Sequence, residues 1–195
     1  LLVGLEKVKS TTENEILEKF NFINFDKKII LVTCHRRENF GKPFEEICNA
    51  ILKIADNFKD GVEIVYPVHL NPNVKEVAHK ILNRSNIKLI NPLEYQELIW
   101  LMNKSYLILT DSGGIQEEAP SLGKPVLVLR EVTERTEGVD TGTAILVGSN
   151  KNNIISETTK LLTNKEHYNQ ISKTSNPYGD GSTSEAILSI LKRDV

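Results

Sequence analysis

The stretch SYLILTDSGGIQEEAPSLGKPVLVLR, residues 105–130, holds a complete strand–turn–helix–strand unit. SYLILT is a brief apolar run of the kind that forms a buried strand. Asp111 and Ser112 cut it off, and either can cap the helix that follows. GIQEEAPSLG reads as that helix, bent or ended by Pro120. KPVLVLR (124–130) is the next strand. Two strands joined through a helix run parallel, because antiparallel neighbours are joined by tight turns instead.

The same alternation extends in both directions. Upstream, KKIILVTC (27–34), VEIVYPV (62–68) and NIKLI (86–90) are short apolar strands. Between them, Pro43 suits the first turn of a helix whose apolar face carries Phe44, Ile47, Ala50, Ile51 and Ile54. Further helices are expected over 73–82 and 94–102. Thr12 followed by Glu15 has the spacing of a capping box, opening a helix through about Phe20. Downstream, TAILVG (143–148) is the last strand, and helical segments after Lys151 and Ser182 close the chain. The loop 131–142 and the stretch SNPYGDGS (175–182) read as the most flexible pieces. With no hairpin signal between neighbours, the pattern predicts an α/β fold: a Rossmann-like parallel sheet with helices on both faces.

Composition narrows the function. The 195 residues are 39% hydrophobic and 26% charged, which fits one globular core. A net charge of -2 supplies no basic field for nucleic acid or anionic lipid, and His35-Arg36-Arg37 is too short for a nucleic-acid arm. Cys34 and Cys48 show no metal-ligand spacing, and so few cysteines fit a reducing compartment. No apolar run reaches the ~18 residues of a membrane span, so the expected location is cytoplasmic. LLVGLEKVK opens with Leu2, Leu5 and Val8 at helical spacing and no initiator methionine, the pattern of a chain that is part of something longer.

In open parallel sheets ligands gather beyond the carboxyl ends of the strands. The polar residues of interest stand there: His35, His69, Asp111, Ser112 and Arg130. Ser112-Gly113-Gly114 can be an ordinary turn, or a backbone that lets a phosphate approach a helix N-terminus. Glu117 and Glu118 can complement the helix dipole, worth about 0.3–1 kcal/mol, or one can accept both hydrogen bonds of a ribose diol. His35, with Arg36 and Arg37 beside it, can serve a phosphate leaving group, or the loop can simply pair an arginine with Glu38. His69 fits a turn before Asn71-Pro72. Arg135 can clamp a diphosphate or be a solvated loop charge. His79 and His167 fall in helical patterns and carry no assignment.

Taken together, HRREN (35–39), HLNP (69–72), DSGGIQEEAPSLGKPVLVLR (111–130), TER (133–135) and NPYGDG (176–181) closely resemble the non-hydrolysing UDP-N-acetylglucosamine 2-epimerases, specifically their carboxyl-terminal half. The resemblance runs through nearly the whole chain, in order. It implies that residues 1–195 form one carboxyl-terminal, nucleotide-sugar-binding domain, one half of a two-domain GT-B architecture, with the amino-terminal domain absent from this chain. It further implies an isomerase that interconverts UDP-N-acetylglucosamine and UDP-N-acetylmannosamine without metal or nicotinamide cofactor. By position, Ser112, Gly113 and Gly114 would contact the diphosphate, Glu118 the ribose and Arg135 the phosphate region. Leu93 and Leu98 would lie against uracil, and His35 would be the catalytic group facing the diphosphate. Leu98 departs from the aromatic ring some members carry there. Arg36 and His69 match a second, allosteric UDP-N-acetylglucosamine site, and members are commonly homodimers. The alternatives are a GT-B glycosyltransferase, a hydrolysing epimerase, or a non-catalytic nucleotide-sugar binding module.

Overall fold

A computed structural model describes residues 1–192. Six strands, β1 (Lys28–Thr33), β2 (Val62–Pro67), β3 (Ile87–Ile90), β4 (Leu107–Thr110), β5 (Val126–Val128) and β6 (Ala144–Leu146), form one sheet in the order β3-β2-β1-β4-β5-β6. Every ladder is parallel. This is the doubly wound order, and it reverses direction between β1 and β4.

The helices are α1 (Leu2–Thr11), α2 (Glu13–Lys19), α3 (Lys42–Asn57), α4 (Pro72–Ile81), α5 (Tyr95–Lys104), α6 (Gly113–Glu118), α7 (Thr136–Asp140), α8 (Lys151–Thr163), α9 (Lys165–Ser172) and α10 (Thr183–Leu191). They cover both faces because successive strand residues point to opposite sides. Ile30 and Val32 of β1 pack with α3, α4, α8 and α9, through Ile51, Val74, Ile154 and Ile171 among others. Ile29 and Leu31 pack with α1, α2 and α5, through Val8, Ile16 and Trp100. The Rossmann-like reading therefore holds, and the expected apolar face of α3 is buried as drawn. No helix among the described residues is long and apolar enough to cross a membrane.

Three local expectations fail. Thr12 precedes α2, but its hydroxyl caps nothing and is buried without a partner. The reason is that α1 and α2 abut at Thr12, a single non-helical residue (φ -126°, ψ 3°) that still donates its amide to Val8 O and accepts from Ile16 N, so the backbone spans the junction without the side chain. The 131–142 segment is no free loop. Thr133 donates to Gln116 Oε1 (2.6 Å), α7 forms inside the segment, and Gly138 N donates to the Tyr178 hydroxyl (3.0 Å). That phenol in turn donates to Arg135 O (3.2 Å), so the two stretches read as flexible fasten one another.

Candidate functional site

The reversal of strand order puts a crevice at the carboxyl ends of β1 and β4. The two strands end in register at Thr33 and Thr110, whose hydroxyls lie 2.7 Å apart. Just beyond, Asp111 is 0% exposed. Its Oδ2 accepts from the backbone amides of His35 (2.9 Å) and Arg36 (2.8 Å) and from Asn39 Nδ2 (3.0 Å). It also accepts from the Cys34 thiol at 3.2 Å. Burial and the adjacent Asp111 charge push that thiol well above its ordinary value, which keeps the proton it donates. Asp111 thus staples the loop after β1 to the end of β4. It is a structural anchor where the sequence offered only a strand-end polar group or cap.

Ser112 holds the N-cap position of α6, but its hydroxyl makes no capping bond. The opening amides of a helix have no intrahelical acceptor. Ser112 N is already committed to the Thr110 hydroxyl (2.9 Å), so Gly113 and Gly114 present the donors to the crevice. Neither Gly113 nor Gly114 has positive φ; both are helical. Their lack of a side chain matters for close approach instead. A Cβ on Gly113 would stand 3.5 Å from the Arg135 guanidinium carbon, whereas one on Gly114 would meet nothing within 4 Å. Arg135 thus lies against the glycine turn, held by Nε to Glu117 Oε1 at 2.6 Å. It is a partly exposed but anchored charge.

Glu117 and Glu118 are the last two residues of α6, not part of its first turn. The dipole reading of these acids is therefore wrong, since a carboxylate at the carboxyl end of a helix meets the negative pole. What holds each is a partner: Arg135 for Glu117, and the Tyr95 hydroxyl, 2.8 Å from Oε1, for Glu118. Pro120 falls in the 3₁₀ turn Ala119–Leu122 that takes over where the α-helix stops.

A cleft of about 340 Å³ opens between these strand ends and α5. His35, His69, Leu93, Leu98, Ser112, Gly114 and Glu118 all line it. Tyr95 lines it too. Gly113 and Arg135 stand beside it, tied to its wall through α6. Arg36 lies outside, in an adjoining opening of about 470 Å³ that shares His35 and His69. The two histidine rings stack at 5.1 Å with an interplanar angle of 8°. His69 Nδ1 accepts from the Asn71 amide (3.1 Å), the turn contact its sequence position implied.

The loop arginines do not pair with Glu38. That carboxylate belongs to Arg130, whose Nε donates to it at 2.6 Å while Nη1 donates to Glu134 Oε2 at 2.7 Å. Among the described residues, no three His, Cys, Asp or Glu side chains gather closely enough to hold a metal ion. The residue that sequence reading missed is Tyr95. It stands three positions before Leu98 on α5, so once the resemblance marks Leu98, helical spacing puts Tyr95 on the same face.

The family model for UDP-N-acetylglucosamine 2-epimerase matches residues 1–192. The chain belongs to that family. The family's enzyme from Campylobacter jejuni is 59% identical over 186 residues, 95% of this chain and 47% of the relative. The crystal structure of UDP-GlcNAc 2-epimerase from Neisseria meningitidis bound to UDP-GlcNAc is 47% identical, with a TM-score of 0.91 over 98% of this chain and 52% of that one. The Methanocaldococcus jannaschii enzyme in complex with UDP-GlcNAc and UDP is 34% identical, with a TM-score of 0.80 over 98% and 51%. The chain spans about half the length of the curated relatives it matches.

Proposed function

We propose that this chain is the UDP-holding half of a non-hydrolysing UDP-N-acetylglucosamine 2-epimerase. The observation that carries the reading is the pairing of a glycine turn, backed by Arg135, with Glu118, which Tyr95 holds at the edge of the same cleft. Such a site suits a ligand with an anionic part and a diol part. In this reading the Ser112 hydroxyl, the amides of Gly113 and Gly114 and the Arg135 guanidinium take the diphosphate. Glu118 accepts from the ribose hydroxyls, and Leu93 and Leu98 wall the uracil, Leu93 through its backbone. His35 faces the diphosphate.

The reaction removes the proton at C2 of the sugar while UDP leaves C1, giving 2-acetamidoglucal. UDP then adds back as C2 is reprotonated from the other face. Charge develops on the departing diphosphate, and donors placed before that charge appears stabilise it most. Retaining UDP through both steps is what separates epimerisation from hydrolysis. The C2 acid and base belong to an amino-terminal domain, facing this one in a GT-B pair. Helix α10 supports that partner: none of its residues is buried, and Ile187, Leu188, Ile190 and Leu191 are all exposed. Arg36 and His69, on the adjoining opening, are the residues for a second UDP-N-acetylglucosamine. The whole enzyme is a cytoplasmic homodimer in this reading.

Two measurements test it. Calorimetry on this chain should show UDP binding, and incubation with UDP-N-acetylglucosamine should show no epimerisation. Appreciable turnover by the chain alone refutes the division of labour. Binding without any turnover once the amino-terminal domain is supplied favours a nucleotide-sugar binding module. Product that needs an acceptor identifies a transferase, and free sugar a hydrolysing epimerase.

A further inference from the structure

Four donors crowd onto Asp111 Oδ2, and the other carboxylate oxygen has none. Oδ1 is buried and unpartnered, 3.9 Å from His35 Nδ1. A buried acceptor without a donor is unfavourable, and a ring displacement of about 1 Å would bring that nitrogen into hydrogen-bond range. His69, stacked on His35, is committed the other way. Its Nδ1 already accepts from the Asn71 amide, which leaves its proton on Nε2. The charged groups around the two rings are Arg36, Arg37 and Glu38 of the same loop, Asp111 beneath, and Glu118 on the cleft wall.

We propose that Asp111 is a positioning residue that fixes His35 as its Nδ1–H tautomer, opposite to the tautomer of the ring stacked on it. His35 then keeps Nε2 as the nitrogen that takes up or delivers a proton, while His69 cannot exchange roles with it. The inference deepens the reading of His35 as the group facing the diphosphate and rests on that reading. It gives Asp111 a role that capping does not, since the N-cap position of α6 belongs to Ser112. The carboxylate serves two clients, the loop amides with one oxygen and the imidazole with the other.

Asp111→Asn is the informative change. The donors on Oδ2 select the amide oxygen for that place, so the new NH₂ group falls where Oδ1 was and faces His35 Nδ1. That nitrogen must then accept, and the tautomer reverses, as it does when the aspartate of a catalytic triad becomes asparagine. The experiment is long-range ¹H–¹⁵N correlation of the imidazoles of the labelled chain at about pH 8.5, two units above the ordinary histidine value. Expected are Nδ1–H at His35 and Nε2–H at His69 in the wild type, with reversal at His35 alone in Asp111→Asn. An Nε2–H His35 in the wild type overturns the proposal, as does an unchanged tautomer in a folded variant. Should the variant fail to fold, the wild-type spectrum alone decides. UDP added to the wild-type sample reports separately. Failure to shift the Ser112–Gly114 amides removes the nucleotide reading without altering the tautomers.

Discussion

Arg130 and Arg135 sit five residues apart on one stretch after β5, and both are ion-paired, yet they are different instruments. Arg130 is 6% exposed and gripped by Glu38 and Glu134, one from the loop after β1 and one from its own. Arg135 is 37% exposed, bound to Glu117 alone, and lies against Gly113. A guanidinium shared between two carboxylates has little left to offer a ligand. One held by a single half-exposed carboxylate keeps donors free and is aimed. The contrast teaches that position at a strand end does not make a charged residue functional; its unspent hydrogen-bonding capacity does.

The strongest way to break the comparison is Arg130→Met. Loss of charged hydrogen bonds of about 1.5–3 kcal/mol each, partly offset because both carboxylates reach water, leaves a cost of about 2–3 kcal/mol. For a chain of this size the melting temperature should fall by roughly 4–12 °C, measured by calorimetry, with UDP affinity retained. Weakened UDP binding at unchanged stability would invert the assignment. The acid limb sharpens it. The Arg130 guanidinium holds Glu134 down at about 2, from an ordinary 4.5. A depressed carboxylate stabilises the fold above the unfolded value and loses that contribution as pH falls from about 4.5 toward about 2. Arg130→Met should flatten the stability profile across that window.

Next come Glu118→Ala and Arg135→Ala, each expected to weaken UDP binding by about 1–3 kcal/mol with stability within about 0.5 kcal/mol. Calorimetric titration of the two variants against the wild type is the check. Unchanged affinity in Glu118→Ala would return that residue to a surface role. An Arg135 change that lowers the melting temperature as much as Arg130→Met would erase the distinction between the two arginines.

Much of this was legible from residue order. Alternating apolar runs and helical faces gave the parallel sheet, because burial on both faces leaves the same signature wherever it occurs. The strand ends were legible too, and seven of the marked residues line one cleft. Partnership was not. Glu38 stands next to Arg37 in sequence but pairs with Arg130, across 92 positions. The acids of α6 looked like dipole partners because their distance from the helix end depends on where Pro120 and the 3₁₀ turn stop it. Tyr95, and the anchoring role of Asp111, escaped for one reason: each acts through a hydrogen bond to a residue from another element, and such pairs leave no periodic trace.

The smallest effect belongs to Tyr95→Phe, which removes only the phenol–Glu118 hydrogen bond. Tyr95 is 48% exposed, so the cost to UDP affinity should be near the low end of about 0.5–1.5 kcal/mol. Burial, then the neighbouring Glu118, pushes its hydroxyl up to about 12. A raised acid keeps its proton below the ordinary value near 10 and gives it up only as pH climbs toward about 12. The donor is therefore constant from about pH 6 to 9, and so should be the gap between wild type and variant across that range. Isothermal titrations at three pH values test this. A gap that closes by about pH 9 would mean the phenol ionises early and does not orient Glu118. A constant gap, smaller than that of Glu118→Ala, makes Tyr95 the support and Glu118 the contact, one step further from Arg130, whose role ends at the fold.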